Sequence, residues 1–298
     1  MTATLTVKRY TSTSSFLKET ELFLRRNEFQ NIFILTMAQQ EQAQEEKKTQ
    51  SNSYCSAVWD DQNQLVFALF NGKNNTMLYG SLTQNLEAIG LLVDDLLASG
   101  THSSLTFVHA FQPSVNHLYE QLQKHNIQFR ITDQVWAYES QNVTWSPRLL
   151  SIARDSKTEL KLATIDDLPL LTEWTLGFFV HLTTKDGMDG TSLPDPEETV
   201  RNALESKFAY ILYVDGVRVS MCWKKRPTET ECALAYVYTP KECRSKGYGA
   251  VCVGLLTEKL LQNCRSVNLF VVRERDPVNN MYAGIGYQLV GEAARLRK

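Results

Sequence analysis

The chain has 298 residues, about twice the ~150 of one ordinary domain, so its length predicts two domains. Hydrophobic residues make up 43% and charged residues 21%, with only 14 Gly and 8 Pro, which excludes collagen-like, low-complexity and wholly disordered proteins. The 31 basic and 33 acidic residues give a formal charge of −2, so electrostatics offers no reason to expect a nucleic-acid partner.

The sequence shows no membrane span, no signal-peptide core and no paired spacing of cysteines, and this narrows the class of protein. The longest apolar stretch, 174–182, is interrupted by Gly177 and His181, so no membrane span is expected. Residues 1–16 are rich in Thr and Ser and have no apolar core of signal-peptide length, which favours a cytoplasmic protein. The six cysteines share no two-residue spacing, so we expect reduced thiols and no metal site.

Hydrophobic periodicity predicts strands and helices along the first half of the chain. In order, these are a strand at 4–10, helices at 16–26 and 31–44, strands at 54–59, 64–70 and 76–79, a helix at 82–98, a strand at 105–111, a helix at 114–125 and a strand at 129–139. The polar run 39–53 is interpreted as a solvated helix end or a loose loop, and 71–74 as a hairpin turn.

The second half repeats this order. It begins with a strand at 160–163, helices at 165–182 and 196–205, and a hairpin of strands at 210–214 and 217–223. A strand at 232–238, a helix ending near 262, a strand at 267–272, a helix at 278–285 and a strand at 288–297 follow. Asp195 is expected to cap the helix that Pro196 opens.

Residue-level similarity supports a tandem duplication. Phe-Val at 107–108 and Val-Asn-His-Leu-Tyr at 115–119 recur 163 residues later, as Phe-Val at 270–271 and Val-Asn-Asn-Met-Tyr at 278–282. The predicted domains are therefore residues 1–147 and 148–298, joined near 140–155, where Pro147 and a polar run interrupt the pattern.

The most informative stretch, 237–250, leaves a predicted strand and opens a helix through a glycine-containing turn. Gly247 and Gly249 allow close approach of a ligand to the backbone, and the first turn of a helix offers N–H groups to an anion. Arg244 and Lys246 add positive charge at the same place. The stretch predicts a pyrophosphate seat, with a purely structural turn as the alternative. It has neither the Gly-Lys-Ser/Thr ending of a Walker A loop nor the third glycine of a dinucleotide fingerprint.

The run 244–249 resembles the signature of the GNAT superfamily of acyl-CoA-dependent N-acetyltransferases: Arg or Gln, two residues, Gly, one residue, then Gly or Ala. A second block, 279–287, is similar to the Asn-x-x-Tyr-x-x-x-Gly-Phe/Tyr segment of that family. The resemblance covers residues 158–298 in element order. Residues 79–84, where the first half should carry the glycine turn, include no basic residue.

The resemblance implies an α+β fold with two tandem GNAT-like domains, each a mostly antiparallel central sheet flanked by helices. Residues 148–298 would form the acetyltransferase domain, and 1–147 a degenerate copy that does not bind CoA in the family manner. Acetyl-CoA, as co-substrate, would lie where the fourth and fifth strands splay apart. Backbone groups of 237–239 would bond the pantetheine, and backbone N–H groups of 245–250 the pyrophosphate.

The same resemblance assigns cofactor binding to individual positions. These are Val237, Tyr238, Thr239, Arg244, Ser245, Lys246, Gly247, Tyr248, Gly249, Ala250 and Asn279. The family has an earlier asparagine in this block, at which this chain carries Arg275 or Asp276.

Three residues are candidates for catalysis. Tyr282 matches the tyrosine that protonates the departing thiolate in many GNAT enzymes, a role that suits a phenol of pKa ~10; a packing tyrosine is the alternative. The N–H of Tyr238 or its neighbour is a candidate oxyanion donor. Some relatives place a glutamate base at the position of Ala233, and Glu231 lies two residues earlier on the same strand face. Glu231 is a candidate base, acting directly or through water, unless it is only a solvated strand-end residue.

Acceptor recognition is expected from residues 174–198. This region is acidic, through Asp186, Asp189, Asp195, Glu197 and Glu198. The acids suit a cationic amine, but a helix start favours the last three in any case. Trp174, Phe178, Phe179 and His181 line an acceptor pocket or face the core.

Together these features predict a cytoplasmic enzyme that transfers an acetyl group from acetyl-CoA directly to a primary amine of a small-molecule or peptide acceptor. It would act as a monomer or homodimer. Two alternatives stay open: amino-acid N-acylation with another acyl-CoA, and a tandem CoA-binding module without turnover.

Overall fold

The computed structural model describes residues 4–45, 53–72, 76–184, 193–272, 276 and 278–298. The strands are β1 Thr6–Tyr10, β2 Tyr54–Trp59, β3 Leu65–Gly72, β4 Met77–Gly80, β5 Phe107–Phe111, β6 Arg130–Ser140, β7 Thr158–Leu162, β8 Ala209–Val214, β9 Val217–Lys225, β10 Glu231–Tyr238, β11 Ser266–Val272 and β12 Gln288–Arg297. The helices are α1 Thr13–Leu24, α2 Ile32–Glu45, α3 Leu86–Ala98, α4 Ser114–Lys124, α5 Pro147–Ala153, α6 Leu168–Thr184, α7 Pro196–Glu205 and α8 Tyr248–Leu261. Among the described residues, no helix is both long and apolar enough to cross a membrane.

The chain forms two compact units, and each contains residues from both predicted halves of the sequence. The N-terminal unit consists of Met1–Gln134 and Gly291–Lys298, and the C-terminal unit of Val135–Val290. The division of the sequence into repeats 1–147 and 148–298 stays a prediction.

The N-terminal unit has the strand order β1-β2-β3-β4-β5-β12. β4 and β5 are parallel, with Met77 opposite Phe107, and the other pairings are antiparallel. The sixth strand is the end of the chain, since Ala293 lies opposite Phe111 and Arg297 opposite Phe107.

The C-terminal unit has the equivalent order β7-β8-β9-β10-β11-β6. β10 and β11 are parallel, and the other pairings are antiparallel. Here the sixth strand comes from the first half of the sequence, since Ser140 lies opposite Val267 and Val135 opposite Val272. The predicted α+β fold, two similar units with mostly antiparallel sheets flanked by helices, is confirmed.

Two local predictions are wrong. The segment 147–153, taken as linker, is helix α5, which Ser146 caps by accepting a hydrogen bond from the Leu149 N–H. The helix expected at 278–285 is instead a series of turns that ends in a 3₁₀ turn, Ala283–Ile285. The polar run 39–53 and the turn 71–74 fall partly outside the described residues.

Residues on both sides of α5 contact α8 in the C-terminal unit. The Trp145 Nε1–H donates to Glu258 Oε1 at 2.6 Å, and Arg154 forms an ion pair with the same carboxylate. The Trp145 ring lies so close to Gly254 that a Cβ there would be 2.2 Å from its Cη2 atom. The packing of Trp145 against α8 thus requires a glycine at 254.

Gly254→Ala is expected to destabilise the protein by about 1–3 kcal/mol, because the rigid indole of Trp145 must move. Gly90 in α3 is the matched control, since a Cβ there meets nothing within 4 Å. Gly90→Ala should stabilise by about 0.5–1 kcal/mol through helix propensity. Denaturant unfolding of both variants measures the difference, and equal stabilisation by both would contradict the packing argument.

Candidate active site

The parallel strands β10 and β11 separate part-way along their length. Their pairing runs from Glu231 opposite Ser266 to Leu234 opposite Leu269, and stops there. β11 continues alongside β6 as far as Val272, and β10 continues alongside β9 as far as Tyr238. The segment 235–238 therefore borders an opening between two strands that remain held on their outer sides.

A β-bulge on β10 lies at this opening. Ala235 is opposite Trp223 and Tyr238 is opposite Met221, so Tyr236 and Val237 together face one residue of β9. Tyr236 has a positive φ of 52°, a conformation that is unusual for a residue with a side chain.

The bulge changes which face of the sheet each side chain covers. Leu234 and Val237 pack in the core that contains α8. Tyr236 and Tyr238 pack in the opposite core, with α6 and α7. Strict alternation would have placed Tyr236 with Leu234.

Aromatic side chains enclose Tyr236 on that second face. Its ring stacks on Trp223 with centroids 4.2 Å apart and lies 5.3 Å from the Phe178 ring. Burial raises the pKa of the Tyr236 phenol. Tyr238 takes the place of a side chain at Gly177 in α6, where a Cβ would lie 2.5 Å from its hydroxyl.

Helix α8 begins beside this opening with unsatisfied donors. Gly247 is its N-cap, at φ 91°, and provides no side-chain cap. The N–H groups of Tyr248, Gly249 and Ala250 occupy the first turn, and no described residue accepts a hydrogen bond from them. Such a helix start favours an anion.

Three basic residues surround this helix start. The Arg244 Nε–H donates to the Thr239 carbonyl at 2.9 Å, and Lys246 is exposed. Arg148 of α5 reaches the Ser245 carbonyl at 3.3 Å. The backbone conformation explains Gly247, because a residue with a side chain would be strained at a φ of 91°. A Cβ at 247 would also lie 2.8 Å from the Cδ2 atom of the neighbouring Leu149.

The three segments predicted to form the site, around residues 239, 249 and 281, meet at Gly249. A Cβ at this position would be 3.1 Å from Thr239 Oγ1 and 3.6 Å from the sulfur of Met281. The end of β10, the start of α8 and the segment next to Tyr282 therefore meet at one place.

Tyr282 is half-buried beside two other tyrosines of the C-terminal unit. Its ring lies 6.5 Å from Tyr138 and 6.3 Å from Tyr287, both of which are buried. Burial raises the pKa of Tyr138, whose hydroxyl accepts a hydrogen bond from the side-chain amide of Asn280 at 3.0 Å.

Asn280 determines the shape of the segment that carries Tyr282. Its Oδ1 accepts hydrogen bonds from the N–H groups of Tyr282 and Ala283. Asp276 Oδ1 accepts from Val278 and from Asn279, which lowers the pKa of that carboxyl. Asn280 thus accepts from the N–H groups two and three residues ahead, as an N-cap does, so the chain begins a new turn at this residue and does not continue one helix from 278.

Glu231 lies at the other end of β10. Its side chain is 1% exposed and is paired with Arg265 at 2.5 Å. Tyr238 is seven positions further along the chain, or about 23 Å along an extended strand. The interpretation as a solvated strand-end residue is wrong, and the structure does not bring this carboxylate together with Tyr238 and Tyr282.

The expected acceptor region is only partly described. Trp174 and Phe179 are buried in the core, whereas Phe178 and His181 are partly exposed. Asp195 caps α7 as predicted, by accepting from the Glu198 N–H at 2.8 Å. Asp186 and Asp189 lie outside the described residues.

In the N-terminal unit, the loop before α3 and the first turn of α3 have N–H groups that are bonded to side chains. The Leu82 N–H donates to Asn31 Oδ1 at 3.1 Å, and the Thr83 N–H to Ser114 Oγ at 2.7 Å. Asn85 caps α3 by accepting from the Ala88 N–H. A neutral side chain therefore caps the first turn of α3, whereas Gly247 provides no side-chain cap to α8.

Comparison with known proteins agrees with this geometry. The model of the family described as FR47-like protein matches residues 217–296. A Drosophila melanogaster protein aligns over 98% of both chains, with a TM-score of 0.59 and 8% identity. A tandem GNAT protein from the clavulanic acid biosynthesis pathway aligns over 99% of this chain and 98% of its own, with a TM-score of 0.52 and 11% identity. The chain has the GNAT fold.

A further similar structure is a fungal multi-domain GH3 β-N-acetylglucosaminidase with a GCN5-related glucosamine N-acetyltransferase region (TM-score 0.53, 13% identity). It aligns with 99% of this chain, which spans 38% of its length. Comparison with curated protein sequences gives no match. The resemblance to the GNAT superfamily drawn from residues 244–249 and 279–287 is confirmed at the level of the fold.

The sequence interpretation missed four residues of this site: Tyr236, Arg148, Leu149 and Asn280. No sequence signal marks Tyr236, because a bulge does not alter the residue types of a strand. The helix that carries Arg148 and Leu149 could have been predicted, since Ser146-Pro147 is a helix-start pattern.

We expect Asn280→Ala to release the turn that carries Tyr282. Its Oδ1 holds the N–H groups of residues 282 and 283, so hydrogen exchange in a peptide spanning 278–287 should accelerate by about tenfold or more. Asn279→Ala is the matched control, because the Asn279 side chain contacts only Asp276 in the described residues. Equal exchange in both variants would contradict the assignment.

Proposed function

We propose that the C-terminal unit is an acetyl-CoA-dependent N-acetyltransferase that transfers an acetyl group directly to a primary amine. One observation carries the proposal: the opening between β10 and β11 lies next to a helix start with free N–H groups and basic neighbours. A pantetheine arm fits the strand opening, and a pyrophosphate fits the helix start.

The residues fit the pantetheine arm and the pyrophosphate of the cofactor. Backbone N–H and C=O groups of 237–239 lie along a strand that β11 no longer pairs. Residues 245–250 and the side chains of Arg244 and Lys246 would hold the pyrophosphate, with Arg148 as an additional cation. Asn279 is an indirect contributor, because its side chain is bonded to Asp276.

Acetyl-CoA, when bound, supplies the thioester whose carbonyl carbon the amine attacks. The N–H of Tyr238 or its neighbour would stabilise the negative charge that develops on the carbonyl oxygen. Tyr282, half-buried and held by Asn280, would donate a proton to the sulfur that leaves. Glu231 is given no part as base, because its carboxylate is engaged by Arg265 at the far end of the strand.

The N-terminal unit would not bind CoA in this manner. Its helix start is capped by Asn85 and its preceding loop is bonded to Asn31 and Ser114. Residues 79–84 also carry no basic side chain.

A screen of primary amines with acetyl-CoA tests the function. The expected result is a product heavier by one acetyl group, together with one equivalent of free CoA thiol. Acyl transfer only from another acyl-CoA to amino acids would favour the amino-acid N-acyltransferase alternative. Binding of acetyl-CoA without release of thiol from any amine would favour the non-catalytic module.

Gly249→Trp is expected to raise the dissociation constant of acetyl-CoA by tenfold or more. The indole would fill the space between Thr239 and Met281 beside the first turn of α8. Titration calorimetry measures the affinity, and Gly90→Trp in the N-terminal unit is the control. Unchanged affinity in a folded Gly249→Trp protein would place the cofactor elsewhere.

Tyr282→Phe is expected to lower kcat by about 10²-fold and to leave the affinity for acetyl-CoA unchanged, because only proton donation is removed. Tyr213→Phe, which loses a hydroxyl that accepts from Arg218 on β9, should retain full activity. Steady-state kinetics on both variants makes the comparison. Full turnover by Tyr282→Phe would remove the tyrosine from the mechanism.

A further inference from the structure

Two cysteines that are 32 residues apart in the sequence lie in direct contact in the C-terminal unit. The sulfurs of Cys232 and Cys264 are 2.9 Å apart, and both residues are free thiols. Cys232 is the second residue of β10, and Cys264 precedes β11. Sequence spacing identifies paired cysteines only when they are close in the sequence, so it does not identify a pair that strand pairing brings together.

The backbone on both sides of this contact is fixed. Glu231 lies opposite Ser266 in the parallel pairing, and Glu231 also pairs with the guanidinium of Arg265. The Arg265 N–H donates to the Thr230 carbonyl at 2.7 Å. The neighbours of Cys232 and Cys264 are therefore joined to each other, and the two sulfurs cannot easily separate.

The two thiols have different environments. Cys232 is 2% exposed, and burial raises its pKa, so it remains protonated. Cys264 is partly exposed and can meet a small oxidant from solvent. Its sulfur lies within hydrogen-bonding distance of the Cys232 thiol. This arrangement suits a reactive cysteine with a resolving partner.

We propose that Cys232 and Cys264 are a redox modification site that forms a reversible intramolecular disulfide on exposure to a hydroperoxide. The observed separation exceeds a disulfide bond length of about 2.05 Å by less than 1 Å, so small side-chain rotations are sufficient. The proposal does not depend on the acyltransferase function.

The reaction balances with hydrogen peroxide as the oxidant. The Cys264 thiolate attacks one peroxide oxygen, the O–O bond breaks, and a sulfenic acid forms as hydroxide leaves and takes up a proton. The sulfur of Cys232 then attacks the sulfur of the sulfenic acid while its proton passes to the departing hydroxyl, so that the S–S bond forms, the S–O bond breaks and water leaves. Two thiols lose two hydrogen atoms and one peroxide becomes two waters, and a dithiol reductant reverses the change.

Peptide mapping of the full chain tests the proposal. The reduced protein is treated with hydrogen peroxide, its remaining thiols are blocked with N-ethylmaleimide in denaturant, and it is digested with trypsin without reduction. Cleavage after Lys225 and Lys241 isolates Cys232 in 226–241, and cleavage after Lys259 and Arg265 isolates Cys264 in 260–265. The expected product is these two peptides joined, two hydrogen atoms lighter than their sum, and separated again by dithiothreitol.

Serine variants provide the controls. Cys264→Ser and Cys232→Ser should each abolish the joined peptide, whereas Cys252→Ser, at a fully buried position in α8, should retain it. Oxidation should also raise the melting temperature of the unmodified protein by about 5 °C, and leave that of Cys264→Ser unchanged, since the bond constrains the unfolded chain.

Three results would overturn the proposal. They are a Cys264 oxidised to sulfinic acid while Cys232 still reacts with N-ethylmaleimide, a disulfide that joins two chains, and an oxidised protein with no rise in melting temperature.

Discussion

The loss of pairing between β10 and β11 beyond Leu234 and Leu269 is the constraint on which the site depends. Parallel strands held on their outer sides by β9 and β6 can separate without unravelling, because each keeps one complete ladder. The backbone groups released in this way need new partners, since buried polar groups left unpaired are costly. The opening therefore leaves backbone groups of β10 and β11 available to solvent or to a ligand.

The bulge at Tyr236 provides the second half of the arrangement. It places Tyr236 and Tyr238 together on the α6 side, so that Gly177 must lack a side chain, and it moves Val237 to the α8 side. The strand thus offers aromatic side chains to one face and backbone to the opening. The exchange of β6 and β12 between the halves has a further consequence: residues 148–298 alone would lack the strand that pairs with β11.

Sequence patterns predicted the elements whose periodicity or capping is local. The alternation of β1 and the Asp195 cap of α7 are examples, and the glycine turn before α8 was found from residue types alone. Prediction failed where a side chain competes with the backbone, as Asn280 does in the expected helix at 278–285. It also failed for Glu231, because the spacing along a strand gives the face of a residue but not what lies at the end of the strand.

The two units show two solutions to the same physical problem. A helix that follows the fourth strand of each sheet leaves first-turn N–H groups, and these groups need an acceptor. In the N-terminal unit, Asn85 caps the helix, while Asn31 and Ser114 bond the loop before it. In the C-terminal unit, Gly247 supplies no acceptor, and Arg244 and Arg148 bring positive charge instead. The N–H groups of that helix start are therefore left to solvent or to a bound molecule, and the two guanidinium groups favour a molecule with negative charge.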